Sequence, residues 1–290
     1  MQGVPTPLAV IGLGSVGRRL ASAWKAAGLS VATHSPSPAS RDRARAAGLA
    51  VEDQLAPAIE GAECIVLCVG DASLARAESE LASELAQGAR PTCLHTCGSR
   101  EASALAALAR RGCPVGSFHP LASFAPEGAG PNLDGAWCAI GGDEAAREAA
   151  KQLASALGLR PLALSNAQDA ALRYHTAATL LANGTVALAS MAFELAQRAC
   201  ADPEQARAAF QSLLAGSVAS LEQRSPERAL TGPISRGDVE TLSTHLQLLA
   251  AEPNLLEAYR SLSKRMLELA QRDGRTSEAQ ARAMDRLLDA

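Results

Sequence analysis

The stretch Leu8-Ala9-Val10-Ile11-Gly12-Leu13-Gly14-Ser15-Val16-Gly17-Arg18-Arg19-Leu20 constrains the fold more than any other part of the chain. Four apolar residues of strand type run into Gly-x-Gly-x-x-Gly, and text of helical period follows as far as Gly28. The spacing has a physical reason. Gly12 permits a tight turn, Gly14 lets the backbone come close to a pyrophosphate, and Gly17 lets the helix pack on the strand with its N-terminus toward the phosphates. Leu13, Ser15 and Val16 complete the expected dinucleotide loop. A glycine turn that binds nothing is disfavoured by the strand before it and the helix after it.

A site for NAD places Asp or Glu about 20 residues past the first glycine, against the ribose 2'-hydroxyl. That region reads Val31-Ala32-Thr33-His34-Ser35 and holds no carboxylate. It continues to Arg41-Asp42-Arg43, and hydroxyls with guanidinium groups suit a 2'-phosphate dianion. NADP is therefore the expected cofactor, with His34, Ser35 and Arg41 beside it. A solvated Arg41 at the start of a helix is the alternative.

From Leu8 to about Leu164, short runs of Val, Ile, Leu and Cys alternate with alanine-rich helical text, the pattern of βαβ units around a parallel sheet. Strands are expected near 8-11, 30-33, 64-69, 92-96, 114-118, 136-141 and 161-164, and a Pro- and Gly-rich loop from Pro120 to Gly135. After Ser165 only helical segments follow, at about 168-199, 203-222, 237-250, 254-272 and 276-289. The expected fold is α/β: a Rossmann domain over 1-165 with a mainly parallel sheet, then an all-helical domain over 166-290 that completes the substrate cleft. Val69 and Gly70, at the end of the third strand, are expected to border the dinucleotide; Asp71 reads as a helix cap or a catalytic acid.

A net charge of -3 with interspersed signs gives no basic face for nucleic acid. No charged leader or bilayer-length run of consecutive apolar residues is evident, so a cytoplasmic protein without a membrane partner is expected. The seven cysteines lack metal-ligand spacing, and no histidine-carboxylate cluster suggests a metal.

Three further motifs carry a resemblance: Gly116-Ser117-Phe118-His119-Pro120-Leu121, Tyr174-His175-Thr176-Ala177-Ala178, and Ala229-Leu230-Thr231-Gly232-Pro233-Ile234-Ser235-Arg236-Gly237-Asp238. With the glycine loop they resemble the Rossmann-like family with a DUF2520 domain, which is similar to pyrroline-5-carboxylate reductases, ketopantoate reductases and 6-phosphogluconate dehydrogenases. The resemblance implies an NADP oxidoreductase and, from the relatives' pairing through such helices, a homodimer. In the hydroxyacid and ketopantoate relatives a helix after the Rossmann domain carries a lysine and, four residues on, an asparagine. Here Asn183 matches the asparagine, but Thr179 stands where the lysine would be, and His175 lies four residues earlier. Lysine is scarce throughout, with only Lys25, Lys151 and Lys264.

Residues at i, i+4 and i+8 stay on one side of a helix, so His175, Thr179 and Asn183 form one polar stripe on an apolar segment that reads as interior. His175 is a candidate proton donor at neutral pH and Asn183 a candidate to orient the substrate. A core histidine satisfied by a carbonyl is the alternative. His119, at the end of the fifth strand, is the rival donor, or a hydrogen-bond partner for the loop behind it. Arg236 is a candidate clamp for a substrate carboxylate. The expected reaction is reduction of a small 2-oxo acid such as ketopantoate. Imine reduction and NADP binding without turnover, as a sensor, are the alternatives.

Overall fold

The computed structural model describes residues 3–124, 131–165 and 167–290. Each expected strand forms: β1 (Leu8–Ile11), β2 (Val31–His34), β3 (Cys64–Leu67), β4 (Thr92–His95), β5 (Val115–Leu121), β6 (Trp137–Gly142) and β7 (Arg160–Ala163). They make one sheet in the order β2-β1-β3-β4-β5-β6-β7. The first five run parallel, β6 is antiparallel to β5, and β7 is parallel to β6. The strands β1 and β3 are buried on both faces, as their uninterrupted apolar text requires.

The helices are α1 (Ser15–Ala26), α2 (Pro38–Ala46), α3 (Leu55–Ile59), α4 (Leu74–Glu84), α5 (Ala106–Arg110), α6 (Glu144–Ser155), α7 (Ala170–Ala199), α8 (Pro203–Gln223), α9 (Pro226–Ala229), α10 (Val239–Leu249), α11 (Pro253–Arg272) and α12 (Glu278–Asp289). The chain divides into two compact units, Met1–Asn183 and Gly184–Ala290, with the division inside α7.

In the first unit one core lies around Trp24, Val66, Phe118 and Leu153 and a second around Ile65, Leu81, Leu105 and Leu108. Strand β5 runs three residues past the expected end, through Pro120 to Leu121, because its antiparallel pairing with β6 extends to Leu121 opposite Trp137. The middle of the expected loop, residues 125–130, lies outside the described residues.

The second unit packs Ile234, Leu242, Leu267, Met284 and Leu288 together. Its helix starts are set by side-chain caps: Asp202 accepts from the Glu204 and Gln205 amides, and Asp238 from the Thr241 amide at 3.0 Å. The cap of α12 is Ser277, in a capping box with Gln280. Ser277 caps well because its partner at the third helical position is a glutamine, whose side chain accepts from the Ser277 amide.

Two expectations for α7 are corrected. An apolar helix reads as interior, yet Leu180 and Val186 are 75% and 71% exposed, and Leu172, Leu181 and Leu188 are exposed too. The sequence also suggested no bilayer-length apolar segment, whereas α7 is long and apolar enough to cross a membrane by length and composition alone. Polar residues spaced through α7 break every consecutive run without lowering its average.

Candidate active site

Strand order brings one end of the sheet together. His34 closes β2, Gly12 follows β1, Cys68 and Val69 follow β3, Gly98 follows β4, and His119 lies near the end of β5. All five strands are parallel, so these positions share the carboxyl edge where ligands bind in open α/β sheets.

The glycine loop has the geometry its sequence requires. Gly12 holds φ +97°, and a Cβ there would run into the Cys68 carbonyl. A Cβ on Gly17 would collide with the Gly12 carbonyl, so only glycine lets α1 sit this close. Gly14 is different: nothing lies within 4 Å of its missing Cβ. It is the N-cap of α1, with no side-chain cap and no acid in the first turn. An open, uncapped helix start fits a pyrophosphate, so Gly12, Leu13, Gly14, Ser15, Val16 and Gly17 suit the dinucleotide that the fold implies. Open space also surrounds the missing Cβ of Gly70, and Cys97 Sγ donates to the Val69 carbonyl at 3.2 Å.

At the ribose end, Ser35 is buried and its carbonyl accepts from Arg41 Nη1 at 2.7 Å. Arg41 Nε lies 3.2 Å from Asp53 Oδ1, and Asp53 also pairs with Arg45 at 2.7 Å. The Arg45 hydrogen bond and charge, helped by Arg41, hold the Asp53 carboxyl below the usual range. Arg41 is thus braced against the turn that follows β2 rather than loose in solvent. His34 Nδ1 is hydrogen-bonded with the Glu52 carbonyl at 3.0 Å.

The two rival histidines are neighbours. His119 and His175 stand edge to face, with ring centroids 5.6 Å apart. Their nitrogens converge on Gly98: a Cβ there would lie 2.5 Å from His175 Nδ1 and 2.6 Å from His119 Nε2. His119 Nδ1 shares a 3.1 Å hydrogen bond with the Tyr174 hydroxyl, whereas His175 Nδ1 is shielded and has no hydrogen-bond partner among the described residues. Burial, then the nearby His175 charge, pushes His119 down to about 4. Burial raises the Tyr174 phenol to about 12. At neutral pH His119 is therefore an uncharged imidazole beside a protonated phenol.

Asp71 is not the helix cap that the sequence suggested as one of its two roles. Its carboxylate accepts from the Ser99 hydroxyl and lies 4.0 Å from Arg100 Nε. Burial raises its pKa, but hydrogen bonds from Ser99 and Cys97 and the His175 and Arg100 charges outweigh this and leave it lowered. His95 is fully buried, with Nε2 hydrogen-bonded to the Glu101 carbonyl at 3.1 Å and its pKa pushed down by that burial. Six of the seven cysteines are buried; burial holds Cys68 and Cys97 up at about 12, as thiols.

Along α7, His175 is half-buried, while Thr179 and Asn183 are exposed. Arg236 belongs to the second unit, exposed in the short helical turn Ile234–Arg236. Sequence reasoning gave no role to Tyr174, Gly98 or Ser99. Tyr174 stood next to His175 in a quoted motif, but nothing in one sequence says that Gly98 would meet both histidines.

The described residues contain no group of three or more side chains suited to a metal. Among solved structures, the chain is similar to a proposed NADP oxidoreductase of Bacteroides fragilis, at 24% identity and a TM-score of 0.72 over 91% of this chain and 98% of that one. A reductive aminase of Aspergillus terreus, in complex with NADPH and ethyl-5-oxohexanoate, is 18% identical with a TM-score of 0.66 over 97% and 99%. A pyrroline-5-carboxylate reductase of Coxiella burnetii is 13% identical with a TM-score of 0.61 over 98% and 99%. At such identities the likeness is one of fold. No curated protein matches the sequence. The fold is that of NAD(P)-dependent oxidoreductases, and residues 136–266 match the domain of unknown function DUF2520. The chain belongs to the family defined by the NAD binding domain of 6-phosphogluconate dehydrogenase, which it matches over residues 7–160.

Proposed function

We propose that this chain is an NADPH-dependent reductase of a C=N bond in a small, carboxylate-bearing substrate. The observation that carries the reading is the pair His119 and His175, converging on Gly98 at the carboxyl edge of the sheet. NADPH, when bound, supplies the hydride. An iminium brings its own positive charge, so its pocket gains nothing from a cationic acid and loses by repulsion. Burial meets that requirement by keeping His119 neutral at about 4. The Tyr174 hydroxyl fixes the His119 ring, and His175 stands edge to face with that ring at 5.6 Å. The names of the structural relatives, a reductive aminase and a pyrroline-5-carboxylate reductase, lean the same way.

Reduction of a 2-oxo acid, ketopantoate among the candidates, is the second reading. It is favoured by the supply of hydrogen-bond donors, Tyr174 and His175, for oxygen as it gains charge. Asn183 would then orient the substrate. For NADPH over NADH the support is Arg41, hydrogen-bonded to the Ser35 carbonyl and paired through Nε with Asp53, and the lack of an acid in the sequence Val31-Ala32-Thr33-His34-Ser35 itself. The exposed apolar residues of α7 and α8, Leu180, Val186, Leu213 and Val218 among them, support a homodimer. We place the protein in the cytoplasm.

Titration of the purified protein with NADPH and NADH, then NADPH oxidation against a panel of cyclic imines, amine-ketone mixtures and 2-oxo acids, tests the proposal. Tight NADPH binding with turnover of an imine is expected. Turnover of 2-oxo acids alone would replace the leading reading with the second. Binding without substrate-dependent oxidation would leave a sensor, and no binding would remove all three.

A further inference from the structure

Strand β5 alternates its faces: Gly116 packs toward Ala146 of α6 and Leu94, while Ser117 and His119 point the other way. Ser117 lines a pocket of about 240 Å³ whose lining also includes Ser103, Gly141, Gly142, Arg147 and Ser165. Ser117 is almost wholly buried, and its hydroxyl makes no hydrogen bond among the described residues. Gly141, directly opposite in β6, keeps that hydroxyl open; a Cβ on Gly141 would come within 2.9 Å of Ser117 Oγ.

Arg147 is half-buried and forms no ion pair among the described residues. The acids nearest it in sequence are Asp143, Glu144 and Glu148; Asp143 accepts from the Ala146 and Val115 amides, and Glu148 is taken by Lys151 at 3.4 Å and by Gln152. Glu101 also lines the pocket, exposed, and makes no ion pair among the described residues. A guanidinium without a counter-ion and a hydroxyl that opens to the same pocket without a protein acceptor both suit the same ligand, an anionic oxygen. One guanidinium with neutral hydroxyls, and Glu101 at the rim, matches a singly charged carboxylate better than a dianion.

We infer that this pocket is a carboxylate-binding site, with Arg147 as its cation and Ser117 as its buried donor. It also lies within reach of the histidines. Ser117 and His119 are two residues apart on one strand face, about 7 Å, and Ala171, which lines the pocket, is one helical turn, about 6 Å, before His175. On the reductase reading, a short acid seated here presents the carbon to be reduced to His119 and His175. This assigns the substrate carboxylate to Arg147 in place of Arg236.

Calorimetric titration of the full chain with acetate, propionate, succinate and inorganic phosphate, at constant ionic strength, tests the site independently of turnover. Saturable binding of a carboxylate is expected, weakened at least 10-fold in Arg147→Gln, several-fold in Ser117→Ala and not at all in the surface control Arg110→Gln, with NADPH affinity retained in all three. No saturable carboxylate binding, equal affinity in Arg147→Gln, or tighter binding of phosphate than of any carboxylate overturns the inference. Should Arg147→Gln not fold, unchanged affinity in Ser117→Ala does the same. Failure of the reductase reading shows separately, as loss of NADPH binding or turnover in the wild type.

Discussion

His175 Nδ1 and His119 Nε2 meet at the Cα of Gly98, where no side chain larger than hydrogen fits without moving one ring. Gly98→Ala should therefore leave NADPH affinity near that of the wild type and lower kcat/KM by about 10²-fold, since a displacement near 1 Å is enough for that loss. Steady-state kinetics with parallel cofactor titration checks this. An alanine variant with full activity would show that the two rings do not act together.

The His119 ring also sets a pH dependence. Its folded value is about 4, below the ordinary value for histidine, so the unfolded chain takes up the proton first as pH falls. Stability should decline from about pH 6.5 down to about 4, by at most roughly 3 kcal/mol from this group, and level off below. Urea unfolding at pH 7 and pH 4.5 should show a smaller difference for His119→Gln than for the wild type.

Gly14 and Gly17 should separate binding from folding. A methyl on Gly14 enters open space, so Gly14→Ala is expected to melt close to the wild type yet bind NADPH at least about 10-fold more weakly. A methyl on Gly17 meets the Gly12 carbonyl, and Gly17→Ala should lose about 2 kcal/mol or more of stability. Thermal melts with and without NADPH distinguish the two.

Arg41 is the test of cofactor choice. Arg41→Ala should weaken NADPH binding about 10-fold while NADH affinity moves less than about two-fold, as loss of a charge-assisted contact to the 2'-phosphate requires. Equal losses for both cofactors would mean that the arginine only braces the turn against Asp53.

The apolar surface of α7 predicts an oligomer. Sedimentation velocity should give a dimer for the wild type and a monomer for the double variant Leu180→Glu, Val186→Glu, whose exposed side chains make no demand on the folded chain itself.

What could be read in the sequence was whatever depends on local text. Buried parallel strands are written as unbroken apolar runs such as Cys64-Ile65-Val66-Leu67, and Gly12, Pro203 and Pro253 punctuate helices and turns where they fall. The convergence on Gly98 was not legible, because three separate segments supply it and one sequence carries no record of which will meet. Arg147 was invisible for a related reason: on an alanine-rich helix with acids on either side it looks like an ordinary solvated cation. Helix α7 misled because the same apolar text serves a buried core and the exposed face that Leu180 and Val186 form here.

Strand β5 sends Phe118 into the packing against Trp24 and sends Ser117 and His119 to the opposite side. The ladder to β6, from Gly116 opposite Gly142 to Leu121 opposite Trp137, pins that alternation. A slip of one residue would bury an imidazole in the hydrocarbon interior and turn a phenyl ring toward the ligand side. Errors in this strand would therefore appear as chains that fail to mature, not as mature chains with altered chemistry, and cellular quality control would remove them before any faulty reaction could take place.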